Sequence, residues 1–379
     1  METVKGFKDK TGKEAEKRNL IREIIRRIFE KYNFQELETP IIEYEEFVKW
    51  NNSNDDVVSD IFKLKDKGER ALALRYEFTF QLKRLAQNQK LPFKRFQIGP
   101  VFRDEPVQGN RLRQFTQCDI DTVGATIKDE AEILAATKEI LNSLKIKSVI
   151  YVNNRKLLNE ILDEQSIKEK TQVIKEIDKL DKLPEKEIRE NLKKFNAEKV
   201  LDIIKNKEDY FKKYKSYKEI EELKQYCKYY GFGVEFTPSL ARGLSYYTGN
   251  VFEIKSIIKE TICGGGTYLV NGMNSTGISL GLERLETVSN TLIDIEKFLI
   301  VSLEQDKQSI ELAQKLRKSG KNVSIYFGKP SKAMEYANSY GIKKIIFVGA
   351  KEIKQKKFKI KDMLTGKEKV VTITQIVKE

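Results

Sequence analysis

The fold is decided by residues 93–124, FKRFQIGPVFRDEPVQGNRLRQFTQCDIDTVG. Residues 93–103 and 113–123 alternate in polarity, which predicts two strands. The polar residues 104–112 between them include Pro106 and Gly109, so they predict a loop. Because side chains alternate between the two faces of a strand, polar groups gather on one face of each. These faces carry Arg95, Gln97, Val101, Arg103 and Glu105 on the first strand, and Phe115, Gln117, Asp119 and Asp121 on the second.

Two interpretations of these charged faces stay open. A buried face that holds so many charges indicates a ligand, because burying an uncompensated charge is costly. The alternative is a solvent-exposed face with surface ion pairs. Arg111 and Arg113 in the loop add to the cations, and planar guanidinium groups suit a polyphosphate. Glu77 and Thr79 form a further polar pair, which a strand over residues 75–79 would hold on one face.

Composition excludes several kinds of chemistry. The chain has 379 residues, no histidine and three cysteines. Without histidine, Ser-His-Asp catalysis, Cys-His catalysis and His-ligated metal sites are excluded. The cysteines are odd in number and far apart, which gives neither a disulfide framework nor a CxxC zinc site and fits a reducing compartment. The net charge of +14 favours an anionic partner such as nucleic acid, although a lysine-rich proteome produces the same excess.

The polar N-terminal stretch is unlike a signal peptide, and no apolar run is long enough to span a membrane. We therefore expect a soluble, cytoplasmic protein.

The sequence predicts two domains, residues 1–296 and 297–379. Apolar residues at helical spacing predict a helix over 13–32. The segment FQELETPII at 34–42 predicts a strand that ends at Pro40, at an edge or an interface. Residues from about 155 to 230 are rich in Lys, Glu, Leu and Ile at helical spacing, which predicts an all-helical insertion.

Strands and helices alternate in the C-terminal part, beyond a boundary near 292–297. This alternation predicts a separate α/β domain with a parallel sheet core. The predicted elements are strands at 298–303, 322–327 and 344–348, helices at 306–319 and 331–340, and a hairpin around Thr365-Gly366.

Two glycine-rich stretches are further candidates for a ligand site. LARGLSYYTGNVFE, at 240–253, contains Arg242 and the pair Tyr246-Tyr247. GISLGLERL, at 277–285, predicts a strand, a glycine and a helix that carries Arg284. Neither a GxxxxGK[ST] loop nor a GxGxxG turn between a strand and a helix occurs, so a phosphate site would have to be built from arginines on a sheet.

At these segments the chain resembles a known family. FQIGPVFRDEPVQGNRLRQFTQCDID resembles motif 2 of class II aminoacyl-tRNA synthetases, GISLGLERL resembles motif 3, and the helix at 13–32 with FQELETP resembles motif 1. LARGLSYYTGNVFE is similar to the histidine-specific segment of histidyl-tRNA synthetases. LRYEFT, GFKD and VNNRKLL fit the same family, and the likeness covers nearly the whole chain.

The resemblance implies an α+β fold, in which helices flank an antiparallel sheet that carries a helical insertion. The C-terminal α/β domain would bind the anticodon, and motif 1 would build a homodimer. The implied activity is a ligase reaction that activates L-histidine with ATP and Mg²⁺ and transfers it to tRNA(His). The motif 2 loop, 106–111, would read the acceptor end. The alternatives are a non-catalytic, histidine-sensing regulatory subunit and a plain RNA-binding module.

The resemblance also implies roles for single residues at the nucleotide. Arg103 would hold the α-phosphate and the substrate carboxylate, and Arg242 would lie over the α-phosphate; these two are the candidate catalytic residues. Glu105 would contact the adenine amino group. The remaining ATP-binding candidates are Phe115, which would stack on adenine, Arg111, which would position the phosphates, and Arg284, which would grip the γ-phosphate.

For the amino acid, the resemblance implies that the α-amino group is bound by Glu77, Thr79 and Gln117. Asp121 and Tyr247 would read the imidazole nitrogens, and Tyr246 would line the pocket. Several positions differ from those usual in the family: Ser245 replaces an Asp, Thr267 and Leu269 replace an Arg and an Asp, and Asp121 replaces the Glu of many members.

Overall fold

The computed structural model describes residues 2–49, 60–107, 111–242, 246–257, 261–291 and 295–378. The chain divides into two compact units, Met1–Thr291 and Leu292–Glu379, and each has a hydrophobic core of its own. None of the described helices combines the length and the apolar character that a membrane span requires.

The first unit contains a large sheet and a small one. Its described strands are β1 (Gln35–Glu36), β2 (Ile42–Tyr44), β3 (Lys63–Lys65), β4 (Ala71–Leu74), β5 (Phe93–Phe102), β6 (Gln114–Val123), β7 (Val149–Asn154), β8 (Glu235–Phe236), β9 (Tyr247–Lys255), β10 (Cys263–Val270) and β11 (Met273–Gly281). The large sheet has the order β1-β5-β6-β11-β10-β9-β7-β8. Its neighbours are antiparallel except at the edges, where β1 and β8 pair parallel with β5 and β7. The predicted antiparallel sheet is confirmed.

Helices flank this sheet. The described α-helices of the first unit are α1 (Gly12–Lys31), α2 (Glu45–Lys49), α3 (Thr79–Leu85), α4 (Ile127–Ser143), α5 (Arg155–Glu164), α6 (Lys170–Ile177), α7 (Glu185–Lys193), α8 (Val200–Ile203), α9 (Glu208–Phe211), α10 (Tyr217–Tyr229) and α11 (Leu282–Val288), with 3₁₀ turns at Ala86–Asn88 and Asp178–Asp181. Helix α1 confirms the prediction over 13–32. Its apolar stripe is buried, and the ring of Phe29 lies 5.4 Å from that of Phe96 on β5.

One predicted strand is shorter than expected, although it lies at an edge as predicted, and another is wrong. The segment 34–42 is divided, because only β1 joins the large sheet, at its edge, while β2 belongs to the small sheet. Pro40 lies between them and has no N–H group to continue a ladder. The segment 75–79 is not a strand, because β4 ends at Leu74 and Thr79 begins α3. Arg75 instead extends its guanidinium to the carbonyls of Thr39 and Pro100, at 2.7 Å each.

The insertion over 155–230 is helical, as predicted. Its apolar side chains, including Leu157, Ile188 and Ile220, belong to the same core as α1 and the large sheet. Asn154 caps α5 by accepting a hydrogen bond from Lys156 N at 2.8 Å, and its side-chain amide donates to Glu219 of α10 at 2.7 Å. The insertion is therefore packed onto the sheet and does not form a separate body.

The second unit is the predicted α/β domain. Its described elements are β12 (Lys297–Ser302), α12 (Asp306–Lys318), β13 (Asn322–Phe327), α13 (Pro330–Ser339), β14 (Lys344–Val348), α14 (Ala350–Gln355), β15 (Phe358–Asp362), β16 (Glu368–Val371) and α15 (Ile373–Lys378). The sheet order is β13-β12-β14-β15-β16, with the first three strands parallel and the β15–β16 hairpin antiparallel. The parallel core and the hairpin were predicted, whereas the short helices α14 and α15 were not.

A buried carboxylate joins α4 to the large sheet. Glu130 accepts hydrogen bonds from Asn250 Nδ2 at 2.7 Å and from Thr267 Oγ1 at 2.6 Å. Both partners are neutral, and burial raises the pKa of Glu130 to about 7. Thr267 is one of the positions at which the chain differs from the family pattern. Its hydroxyl, and not the side chain usual in the family, therefore bonds to Glu130.

We expect Glu130→Gln to stabilise the protein at pH 8 and to have little effect at pH 5. The folded state binds a proton up to about pH 7, whereas the unfolded chain releases it near 4.5. Stability is therefore lost as the pH rises through this window, by about 3 kcal/mol in all. A glutamine does not titrate, so it removes this pH-dependent loss of stability, and it still bonds to both Asn250 and Thr267. Melting temperatures of both proteins at the two pH values test this, and an equal difference at both would contradict it.

Candidate active site

The charged face of β5 and β6 is buried, so the alternative of a solvent-exposed face is wrong. Arg95 is 1% exposed and Asp121 is 4% exposed. Strand register pairs the two residues directly, and Arg95 Nη2 lies 2.7 Å from Asp121 Oδ2. The predicted grouping of polar side chains is thus the floor of an interior site.

Carboxylates outnumber cations on this floor. Glu77, Asp119 and Asp121, here named the acidic cluster, interact electrostatically, and burial raises the pKa of each. The pKa of Asp119 rises to about 7, with the charge of Asp121 as a second cause. Glu77 bonds to Thr79 at the start of α3, yet its buried Oε1 has no hydrogen-bond partner. A ligand with positive charge and N–H donors would compensate this cluster.

Three tyrosines stand beside the acidic cluster. The ring of Tyr246 lies 4.7 Å from that of Tyr247 and 5.8 Å from that of Tyr268. The Tyr268 hydroxyl donates a hydrogen bond to Asp121 Oδ1. Burial raises the pKa of all three, so their hydroxyls remain protonated at neutral pH. The sequence indicated Tyr246 and Tyr247 but not Tyr268, because only strand register brings β10 to Asp121.

An open cavity of about 240 Å³ lies next to this cluster. Arg103, Arg242 and Arg284 line it, although they come from three distant stretches of the chain. The other predicted residues on its wall are Glu105, Arg111, Phe115 and Gln117. Gln117 links cavity and cluster, since its Nε2 donates to Ser279 Oγ at 2.6 Å and to Asp119 Oδ1 at 3.3 Å. All the predicted ATP candidates therefore share one cavity.

Arg103 is oriented by aromatic rings. Its Cζ lies 4.3 Å from the ring centroid of Tyr76 and 5.1 Å from that of Phe115. Among the described residues no carboxylate lies within ion-pair distance of it, and its buried Nε has no hydrogen-bond partner. Its N–H donors are thus available to an anionic ligand. Arg111, by contrast, lies 3.5 Å from Glu105 Oε2.

The guanidinium of Arg242 lies directly against the backbone of Gly264 on β10. A Cβ atom on Gly264 would lie 2.1 Å from Arg242 Nη1, so only glycine leaves room for the guanidinium. Arg242 itself has a φ of 53°, a left-handed conformation that is uncommon outside glycine. Its Nη1 lies 3.2 Å from Glu253 Oε1.

Arg284 lies in the first turn of α11, directly after β11, and donates a hydrogen bond to the Thr261 carbonyl. Its neighbour Glu283 fixes this turn. Glu283 accepts a hydrogen bond from Thr116 N at 3.0 Å and lies 2.9 Å from Arg18 of α1. The predicted strand, glycine and helix are confirmed, and α1 holds the turn in position.

The structure places two of the positions that differ from the family pattern away from the cavity. Leu269 is 48% exposed, and Thr267 bonds to Glu130 behind the sheet. Ser245 and residues 108–110 of the motif 2 loop lie outside the described residues.

Arg103 and Arg111, in the connection between the antiparallel strands β5 and β6, and Arg284, on the turn from β11 to α11, face one cavity. Together with the helix-flanked sheet, this arrangement defines the class II aminoacyl-tRNA synthetases.

Comparison with known proteins identifies the family within that class. The family model described as histidyl-tRNA synthetase matches residues 6–285, and the anticodon binding domain model matches residues 297–379. The chain is 32% identical to histidine–tRNA ligase 1 of Bacillus cereus, covering 99% of both chains. It is 32% identical to histidine–tRNA ligase of Wolinella succinogenes, covering 97% of this chain and 95% of that one. The chain belongs to the histidyl-tRNA synthetase family.

Solved structures agree with this fold. Histidyl-tRNA synthetase from Nostoc matches with a TM-score of 0.86 and 27% identity, covering 100% of this chain and 99% of that one. A Bacillus halodurans protein described as an ATP phosphoribosyltransferase regulatory subunit/histidyl-tRNA synthetase has a TM-score of 0.75. At 21% identity, over 91% of this chain and 97% of that one, it shows the shared fold alone.

We expect Gly277→Ala to destabilise the protein by roughly 3 kcal/mol. A Cβ atom on Gly277 would lie 1.9 Å from Asp121 Oδ1, so the carboxylate would have to move away from Arg95. Breaking a buried ion pair leaves uncompensated charge in the interior. Gly233→Ala is the matched control, because nothing lies within 4 Å of its Cβ position. Thermal melting measures both variants, and equal melting temperatures would argue against the pair's importance.

Proposed function

We propose that the protein is a histidine–tRNA ligase, which forms histidyl-adenylate from L-histidine and ATP and transfers histidine to tRNA(His). The observation that carries this proposal is the shared cavity of Arg103, Arg242 and Arg284, which adjoins the acidic cluster. A cationic wall suits a triphosphate, and a neighbouring anionic floor suits an ammonium group.

On the nucleotide side, Arg103 and Arg242 are the candidate catalytic residues and bind the α-phosphate. Phe115 stacks on adenine and Glu105 accepts a hydrogen bond from its amino group. Arg111 and Arg284 hold the outer phosphates. Because guanidinium groups stay charged and bind oxygens in pairs, they can stabilise the charge that develops during phosphoryl transfer.

On the amino-acid side, Glu77, Thr79 and Gln117 bind the α-ammonium group. Asp121 accepts a hydrogen bond from one imidazole nitrogen, and the protonated Tyr247 hydroxyl donates to the other. Tyr246 packs against the ring. A carboxylate and a hydroxyl that are both buried select strongly against side chains that would leave them unpaired.

The reaction needs no protein nucleophile. The histidine carboxylate attacks the α-phosphorus of ATP in line, a new P–O bond forms and pyrophosphate leaves. A ribose hydroxyl at the end of the tRNA then attacks the activated carbonyl, and AMP leaves. Positioning and charge stabilisation are what the side chains contribute, which suits a chain without histidine.

Mg²⁺ fits this site as a companion of ATP. Among the described residues no group of three or more acidic or cysteine side chains could form a metal cage. Of the carboxylates on the cavity wall, Glu283 is engaged by Arg18 and Thr116, and Glu105 lies near Arg111 and is the proposed partner of adenine, so phosphate oxygens and water would be the main ligands. Mg²⁺ usually binds through one or two carboxylates with phosphate oxygens and water, and it would neutralise phosphate charge here.

The partner proposals follow from the family. The second unit, matched by the anticodon binding domain, would contact tRNA, and the net charge of +14 favours such an anionic partner. We place the reaction in the cytoplasm, where translation occurs. The regulatory-subunit alternative is not favoured, because such paralogues commonly lack the anticodon domain and several ATP-binding arginines.

ATP–pyrophosphate exchange with each of the twenty amino acids tests the activity. We expect histidine alone to support exchange and purified tRNA(His) to accept the product. Glu77→Gln should raise the KM for histidine at least about tenfold while changing the KM for ATP little, because it removes the charge that meets the ammonium group.

Glu69→Gln is the control for this variant, since Glu69 is an exposed glutamate of the same unit. Absence of histidine-dependent exchange in the unmodified protein would refute the ligase proposal. An unchanged KM for histidine in Glu77→Gln would refute the role of Glu77 alone.

We further propose that the chain forms a homodimer, as the resemblance to motif 1 implies, and that the small sheet, whose strand β2 begins directly after the motif 1 segment, contributes to the interface. Ile42 and Tyr44 on β2 and Leu64 on β3 are 50%, 52% and 36% exposed. Register pairs Ile42 with Leu74, and both Tyr44 and Leu64 with Leu72, so these apolar side chains share one face. An apolar sheet face of this kind is typical of an interaction surface.

Tyr44→Glu should therefore shift the protein from dimer to monomer, because it buries a charge in an apolar interface. Val370→Glu is the control, since it adds the same charge to an exposed apolar position of the second unit. Sedimentation velocity distinguishes the two forms. A monomeric unmodified protein, or a dimeric Tyr44→Glu, would contradict this interface.

A further inference from the structure

A buried glutamate on β9 holds the guanidinium of Arg242 in position. Glu253 on β9 is 8% exposed, and its Oε1 lies 3.2 Å from Arg242 Nη1. Arg242 also has a left-handed backbone conformation. Such a conformation persists where surrounding contacts hold it. The guanidinium is therefore in a fixed position and is not simply an extended surface side chain.

The second carboxylate oxygen of Glu253 faces a lysine and not Arg242. Glu253 Oε2 lies 3.6 Å from Lys255 Nζ, on the same strand. Lys255 Nζ also forms an ion pair with Asp181. Asp181 ends the 3₁₀ turn Asp178–Asp181, which belongs to the helical insertion. Charged contacts thus run without interruption from the insertion to Arg242.

A small cavity of about 130 Å³ lies along this path. Its wall includes Asp178 and Asp181 from the turn and Ala241, Glu253 and Lys255 from the large sheet region. Burial raises the pKa of Asp178, and the charge of Arg242 opposes that rise, so the two groups lie within electrostatic range. The turn therefore acts on Arg242 both through Lys255 and directly.

We propose that Glu253 is the positioning residue of Arg242, and that the Asp178–Asp181 turn of the helical insertion sets this position through Lys255. The catalytic consequence rests on the proposed ligase function, in which Arg242 acts on the α-phosphate. Displacement of the insertion, for instance by bound RNA, would then change the orientation of Arg242 without contact to either substrate.

Glu253→Gln tests the positioning role. Glutamine has one acceptor oxygen, which cannot serve both Arg242 and Lys255. We expect kcat for histidine-dependent exchange to fall at least about tenfold, with KM for histidine unchanged within about twofold. In an Arg242→Lys background the same substitution should have no further effect, because Glu253 acts through the guanidinium. Glu235→Gln on β8, an exposed glutamate, is the matched control.

A second measurement does not require activity. Phenylglyoxal modifies accessible arginines, and peptide mass spectrometry gives the rate at each one. We expect Arg242 to be modified several-fold faster in Glu253→Gln than in the unmodified protein, with Arg111 as internal reference. Asp181→Asn and Lys255→Gln should increase the rate in the same direction but less, because they act from further along the path.

The outcomes separate the two proposals. Unchanged labelling of Arg242 in Glu253→Gln overturns the positioning role. Unchanged labelling in both Asp181→Asn and Lys255→Gln overturns the link to the insertion. If the unmodified protein shows no exchange while labelling of Arg242 still responds to Glu253→Gln, the ligase proposal fails and the positioning inference stands.

Discussion

The burial of charge on one face of an antiparallel sheet is the constraint on which the site depends. Arg95 and Asp121 face each other in register and are both buried, and an ion pair in the interior persists only with close geometry. The strand pair β5–β6 must therefore keep this register, because a slip of one residue would turn every charged side chain to the opposite face. Asp119, Gln117 and the wall of the neighbouring cavity are positioned by the same register.

Glycines provide the space that these side chains require. Asp121 occupies the place of a Cβ on Gly277, and Arg242 occupies that of Gly264. A Cβ on Gly266 would lie 2.9 Å from the ring of Tyr247. At these positions the strands carry no side chain of their own, so the large polar side chains of the site can lie directly against the backbone. These contacts account for Gly264, Gly266 and Gly277 among the glycines between residues 231 and 281.

Periodicity was sufficient to predict the elements that make regular local contacts. Helix α1, the β5–β6 pair, the helical insertion and the β–α alternation of the second unit all follow from it. It failed at 34–42 and 75–79, where the chain leaves one sheet for another and Arg75 bonds to distant carbonyls.

Periodicity also left open whether the charged faces were buried. Burial depends on which strand lies next to β6, and that neighbour, β11, is more than 150 residues further along the chain. For the same reason Tyr268 and Glu253 could not be predicted, since their roles arise from register and not from spacing.

The order of charges along the site matches the order of charges in the proposed reactants. Four arginines line the cavity and three carboxylates form the adjacent cluster, and Gln117, a neutral residue, lies between them. Left without ligands, the two groups would attract one another, and the charge of Arg103 does lower the pKa of Glu77 against the effect of burial. A triphosphate at one end and an ammonium group at the other would replace this mutual attraction with two separate ones. The carboxylate of the amino acid and the α-phosphorus would then meet near Gln117, where neither group of charges dominates, and the arginines would stabilise the negative charge as it moves to pyrophosphate.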